Sequence, residues 1–114
     1  MAEQFNTRFT DRIALLPSLN FQESLYLWKD AEVVLTDSGG LQEETTALGV
    51  PCVTIRENTE RPITVEIGTN LVAGRKKETI VRAYDESIEK AKKAKVPELW
   101  DGRASKRIWE VLLK

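Results

Sequence analysis

The 114-residue chain contains no histidine. A self-contained Ser/His/Asp or Cys/His catalytic apparatus is therefore excluded, and so is a His-ligated zinc site. Cysteine is almost as scarce. Cys52 stands alone, so no disulfide can close within the chain, and a reducing compartment is the simpler reading. Cys52 follows a proline and opens an apolar run, which suits a small core hydrophobe. No apolar run approaches the roughly 18 residues of a membrane span, and the opening MAEQFNTRF carries no signal-peptide pattern. Neither sign of charge dominates. Seventeen Lys and Arg against eighteen Asp and Glu leave a net charge of -1, too little to draw the domain to nucleic acid or to an anionic membrane.

A hydrophobic content of 41% and a charged content of 31% describe an ordinary soluble globular protein. The length allows one domain, residues 1–114, with a single core; a catalytic cleft between two domains cannot lie within it. Short apolar runs recur evenly: IALL at 13–16, VVL at 33–35, CVTI at 52–55 and NLV at 70–72, their starts 20, 19 and 18 residues apart. Segments of helical periodicity lie between them. Phe21, Leu25 and Trp28 are spaced i, i+4, i+7, and Leu41 and Leu48 are i, i+7. This alternation predicts an α/β fold, a parallel sheet with flanking helices.

The breakers agree with it. Gly49-Val50-Pro51 ends one helix and leads into the strand at Cys52, and Pro62 opens a short helix over 62–67, closed by Gly68. Residues 76–94 read as one amphipathic helix with Ile80, Val81, Tyr84, Ile88 and Ala91 on a single face. Its KAKKAK end suits a helix C-terminus better than a ligand patch. Beyond Val96-Pro97, LWDGRASKRIWEVLL predicts a terminal helix capped by Asp101. Ala104, Ile108, Val111 and Leu112 would face inward, with Trp100 and Trp109 as docking anchors.

The chemistry concentrates in TDSGGLQEE, Thr36 to Glu44, between an apolar run and a helical stretch. Gly-Gly is a poor way to open a helix, each glycine costing about 1 kcal/mol against alanine. Two compensations are open. Ser38 can cap the helix, with Glu43 and Glu44 favourable in its first turns. Alternatively, bare backbone at Gly39 and Gly40 lets an anion reach the unpaired first-turn N–H groups, with the Ser38 hydroxyl as a further donor. The turn is neither a G-x-G-x-x-G fingerprint nor a Walker A loop. In open α/β sheets, ligands sit beyond the carboxyl ends of the strands. The RENTERP loop, residues 56–62, follows the next strand and reaches the same edge. Its charges, Arg56, Glu57, Glu60 and Arg61, suit a solvated loop, yet a guanidinium beside a helix N-terminus and a glycine turn is what a diphosphate requires.

TDSGGLQEE, the following LGVP and RENTERPITVEIGTN resemble the non-hydrolysing UDP-N-acetylglucosamine 2-epimerases. The match runs from LLPSLNF through TNLVAG to ELWDGRASKRI. The hydrolysing epimerases of sialic acid synthesis differ at the turn, where a serine-rich variant replaces TDSGG-x-QEE. The resemblance implies one part of a two-domain enzyme, each domain Rossmann-like, in the glycosyltransferase-B arrangement. It implies that Ser38 and Gly39 hold a diphosphate through hydroxyl and backbone N–H, and that Gly40 permits the close approach. Glu44 would accept from the ribose hydroxyls and Arg61 would pair with the phosphates. The implied reaction eliminates UDP from UDP-N-acetylglucosamine to give 2-acetamidoglucal. UDP then returns with the opposite configuration at C2, giving UDP-N-acetylmannosamine without metal or nicotinamide cofactor.

Two departures from the family pattern stand out. The chain corresponds to about the last third of such an enzyme, and the N-terminal domain with the proton-moving carboxylates is missing, as is the histidine-bearing first strand of this domain. No catalytic residue is assigned within the chain. Where relatives carry Y-x-x-F near the uracil, this chain has Phe21 and Ser24, so an aromatic contact from position 24 is lost. The rival readings are a piece of a UDP-sugar glycosyltransferase of the same fold, or a stand-alone nucleotide-binding module without chemistry. The expected partners are UDP or UDP-N-acetylglucosamine, the missing N-terminal domain and a second copy of the chain, in the cytoplasm and in the service of cell-envelope polysaccharide synthesis. The core should form around the strands at 33–35, 52–55 and 70–72. IALL would either pair beside VVL or leave a gap for association to fill.

Overall fold

Helix α1, Phe21–Trp28, starts where Asn20 and Glu23 exchange side-chain hydrogen bonds with each other's backbone N–H, at 2.8 and 3.1 Å. This capping box satisfies two donors that a helix start otherwise leaves unpaired. The computed structural model describes residues 11–114, so the MAEQFNTRF segment lies outside the described residues. After α1 the elements alternate as β1 (Val34–Thr36), α2 (Gly39–Leu48), β2 (Cys52–Thr54), α3 (Pro62–Glu66) and β3 (Asn70–Val72). Helices α4 (Lys77–Lys93) and α5 (Ala104–Leu112) follow.

The three strands form one parallel sheet in the order β1-β2-β3. Register aligns Val34 with Cys52 and Asn70, and Thr36 with Thr54 and Val72. The loops leaving Thr36 and Thr54 therefore emerge at one edge, as the spacing of the apolar runs predicts. Helix α2 packs on all three strands and on α3, while α4 packs on β2 and β3. Gly49 ends α2 at φ 74°, a left-handed conformation that glycine adopts without a Cβ penalty. Pro62 stands in the first turn of α3, as predicted. Gly68 works differently. A Cβ there would lie 2.3 Å from Thr46 Oγ1 and 2.8 Å from the Thr64 carbonyl, so close packing of backbone on α2 demands the glycine.

Four expectations are corrected. IALL is not a strand: residues 13–20 have no regular structure, and Ile13, Leu15 and Leu16 are exposed. A three- or four-residue apolar run becomes a strand only when a neighbour takes its backbone hydrogen bonds, and among the described residues β1 pairs with β2 alone. In α2, Leu48 is exposed and Leu41 half-buried, whereas Gln42, Thr45 and Thr46 are buried. In α4, Ala83 and Ser87 are buried, and Val81 and Tyr84 turn outward. Tyr84 donates its hydroxyl to Glu32 at 2.5 Å.

The fourth correction concerns α5. Ala104, Ile108, Val111, Leu112 and Trp109 are all exposed, because the turn through Leu99 (φ 75°) and Gly102 (φ 78°) carries the helix off the sheet. Asp101 braces that turn, accepting from the Arg103 N–H at 2.9 Å and from Arg107 Nη1 at 3.0 Å, and so does not cap the helix directly. Those two bonds hold its carboxyl below the usual range.

At the end of α4 the KAKKAK lysines suit the helix C-terminus as the sequence suggests, except Lys90. Lys92 pairs with Glu89 at 3.0 Å on the surface. Lys90 turns inward, donating to the Val65 carbonyl at 2.6 Å and to that of Asn70. Burial lowers the Lys90 pKa from the usual lysine value, and burial raises that of the Cys52 thiol.

Candidate functional site

The loop after β1 turns into α2 at Ser38, whose backbone is extended (φ -87°, ψ 127°) and whose hydroxyl accepts from the Leu41 N–H at 3.4 Å. Thr36 Oγ1 accepts from the Ser38 N–H at 3.0 Å and fixes the entry of the chain. Ser38 is thus the helix cap, and Gly39 and Gly40 form the first turn. Their N–H groups are among those that no intrahelical carbonyl can reach. The dipole of α2 adds partial positive charge at the same place.

Arg61 arrives from the other loop. A Cβ placed on Gly39 would meet Arg61 Cζ at 3.4 Å and Nη2 at 3.5 Å, so the guanidinium lies against the bare backbone of the turn. Its Nε donates to Glu43 Oε1 at 2.7 Å, and that hydrogen bond and the carboxylate charge raise the Arg61 pKa further above its ordinary value. Glu60 stands 3.8 Å from Nη1. The Glu43 bond occupies Nε and leaves the Nη2 side of the fork over Gly39.

Beneath this pair runs a chain of side chains. Thr59 Oγ1 accepts from the Arg61 N–H at 3.0 Å and donates to Gln42 Oε1 at 2.5 Å. Gln42 Oε1 also accepts from Asn70 Nδ2 at 3.1 Å, and Thr54 donates to Asn70 Oδ1 at 2.5 Å. Gln42, Thr54 and Asn70 are fully buried.

Four of the predicted residues, Ser38, Gly39, Gly40 and Arg61, therefore meet at the N-terminus of α2. Glu44 sits on the same helix, half-buried, and makes no hydrogen bond to the described residues. Phe21 is 64% exposed at the start of α1, and Ser24 is half-buried in that helix. The sequence reading missed Glu43 as the partner of Arg61, and it missed Gln42, Thr59 and Asn70 altogether. Polar residues at 42, 45 and 46 do share one helical face, which was the available signal. Among the described residues no three His, Cys, Asp or Glu side chains cluster as metal ligands. No helix is long and apolar enough to cross a membrane.

The family model described as UDP-N-acetylglucosamine 2-epimerase matches residues 1–113. The UDP-N-acetylglucosamine 2-epimerase of Methanocaldococcus jannaschii is 43% identical over 101 residues, which cover 89% of this chain and 27% of that protein. A crystal structure of the M. jannaschii enzyme in complex with UDP-GlcNAc and UDP superposes with a TM-score of 0.81 at 39% identity, covering 98% of this chain and 32% of that one. The Neisseria meningitidis enzyme bound to UDP-GlcNAc gives a TM-score of 0.77 at 31% identity, covering 98% and 31%. The chain thus spans about 27% of the length of the curated relative and about a third of the solved ones. It carries the parallel sheet and flanking helices of their Rossmann-like fold, and it belongs to the UDP-N-acetylglucosamine 2-epimerase family.

Proposed function

We propose that this chain forms the UDP-binding wall of a UDP-N-acetylglucosamine 2-epimerase. The observation that carries the reading is the Arg61 guanidinium lying against Gly39 at the N-terminus of α2. Backbone donors, a hydroxyl and a planar cation converge there on one volume, the donor set that a diphosphate takes up. Ser38 and Gly39 hold the phosphates through hydroxyl and N–H, Gly40 leaves room for their approach, and Arg61 pairs with their charge. Glu44, in the second turn of α2, accepts from the ribose hydroxyls.

The chemistry assigned to this wall is care of the leaving group. As UDP departs from C1, negative charge grows on its β-phosphate. Donors already in place stabilise that charge without having to reorganise. The proton at C2 moves on groups outside this chain, so the isolated chain should release no UDP-N-acetylmannosamine. The parent enzyme is assigned to the cytoplasm and to cell-envelope polysaccharide synthesis, and the exposed IALL and α5 surfaces to contacts with the rest of the enzyme or a second copy.

Titrating the chain with UDP, alongside a Ser38→Ala variant, tests the reading. Weak binding is expected, since one wall offsets little of the entropy of association, and Ser38→Ala should weaken it further. Helix-cap loss costs about 1 kcal/mol of stability by itself, so urea unfolding of both proteins accompanies the titration. Equal affinity for UDP in the two proteins would remove Ser38 from the site.

A further inference from the structure

The polar side chains under the site have only one consistent direction of hydrogen bonding. Thr64 Oγ1 donates to the Arg61 carbonyl at 2.6 Å, so it can only accept from Asn70 Nδ2, 3.1 Å away. That sets the Asn70 amide, with Oδ1 toward the Thr54 hydroxyl and the second Nδ2 proton toward Gln42 Oε1. Thr59 Oγ1 accepts from the Arg61 N–H, so its own proton also goes to Gln42 Oε1. Arg61 is consequently gripped at both ends of its backbone, N–H by Thr59 and C=O by Thr64. Pro62, which follows it, disfavours the helical region for Arg61, whose backbone stands at φ -124° and ψ 63°.

We propose that Thr59, Gln42 and Asn70 are positioning residues that clamp the Arg61 backbone to α2, fixing its guanidinium over Gly39. Gln42 is the joint, because it stands one turn along the helix whose N-terminus carries Ser38, Gly39 and Gly40. Its Oε1 receives the RENTERP loop through Thr59 and β3 through Asn70. Glu43, the next residue, holds the tip of the same arginine. Helix α2 thereby sets both the anion donors and the cation that faces them. These bonds tie α2 to the loop and to β3 through one acceptor atom, Gln42 Oε1, while Gln42 Nε2 is buried without a partner among the described residues. The proposal rests on the phosphate role of Arg61, and its test separates the two.

Thr59 is half-buried on a loop, which makes it the position to change. Thr59→Val keeps the shape and removes both hydrogen bonds; Thr59→Ser keeps both. Two readouts apply to the full chain: the NMR signal of the Arg61 Nε–H, which reports its bond to Glu43, and UDP affinity. Thr59→Val should shift or broaden the Nε–H signal and weaken UDP about tenfold, on the scale of a lost buried hydrogen bond, and Thr59→Ser should restore both. In an Arg61→Ala background, Thr59→Val should cost nothing more, since it acts through Arg61. An unchanged Nε–H signal in Thr59→Val, or an equal loss of affinity in both backgrounds, would overturn the clamp. If Arg61→Ala alone left UDP binding intact, the phosphate role would fall instead, and the Nε–H signal would still decide the clamp.

Discussion

Arg61 Nε donates to Glu43 Oε1 at 2.7 Å, joining residues 18 positions apart in the chain. An exposed pair of this kind adds little to stability. Its consequence is directional, because it turns the planar fork so that Nη2 lies on the glycine turn.

Glu43→Gln keeps an acceptor for Nε and removes a negative charge from beside the phosphate position. The variant is expected to bind UDP at least as tightly as the parent chain, measured by titration at low and physiological salt. Weaker binding would mean that the carboxylate charge, and not merely its acceptor oxygen, is needed to hold Arg61.

Gly39→Ala separates binding from stability. Alanine gains up to about 1 kcal/mol over glycine in a helix, and the new Cβ at 3.4 Å from Arg61 Cζ asks only a small shift of a flexible side chain. Urea unfolding should show equal or greater stability, while UDP affinity falls because the methyl pushes the Arg61 guanidinium from its place over the turn. Unchanged affinity would place the phosphates elsewhere.

Gly68→Ala should do the reverse. Its Cβ would collide with Thr46 and with the Thr64 carbonyl, the latter backbone that cannot swing away. Overpacking of this kind costs about 1–3 kcal/mol, to be read as a lower urea midpoint. A midpoint equal to the parent's would show that α2 and α3 part easily at this contact.

The strands at Val34–Thr36, Cys52–Thr54 and Asn70–Val72 were legible because each is an apolar run between breakers, and the helix ends at Gly49 and Pro62 followed from backbone chemistry. The meeting of Ser38 to Gly40 with Arg61 was legible too, since the two loops leave neighbouring strands at one edge. Two things were not. IALL has strand composition without a strand beside it, and composition cannot supply the partner. Gln42 looks like a solvent-facing polar residue until Thr59 and Asn70, 17 and 28 positions away, arrive to donate to its Oε1. Burial of polar side chains depends on partners that periodicity does not reveal, so Leu48 pointed to the wrong face of α2 while Leu41 packs against the core of Trp28, Val34 and Val50.

Glu44→Gln should weaken UDP less than loss of Arg61 does, since an amide still accepts from one hydroxyl. The loss should shrink with 2′-deoxy-UDP, which lacks one of the hydroxyls assigned to Glu44. Titration of both ligands against both proteins checks this. Equal losses with the two ligands would take Glu44 away from the ribose.

The most direct measurement is UDP affinity of the chain beside its Arg61→Ala and Arg61→Lys variants, with unfolding followed in parallel. Arg61→Ala is predicted to weaken UDP by about 10- to 100-fold, the worth of hydrogen bonds to a charged group. Arg61→Lys should recover only part of that, because a point charge cannot reproduce the fork. If the alanine variant folds as well as the parent and binds UDP equally tightly, Arg61 is a loop ion pair with Glu43 and the diphosphate site is not here.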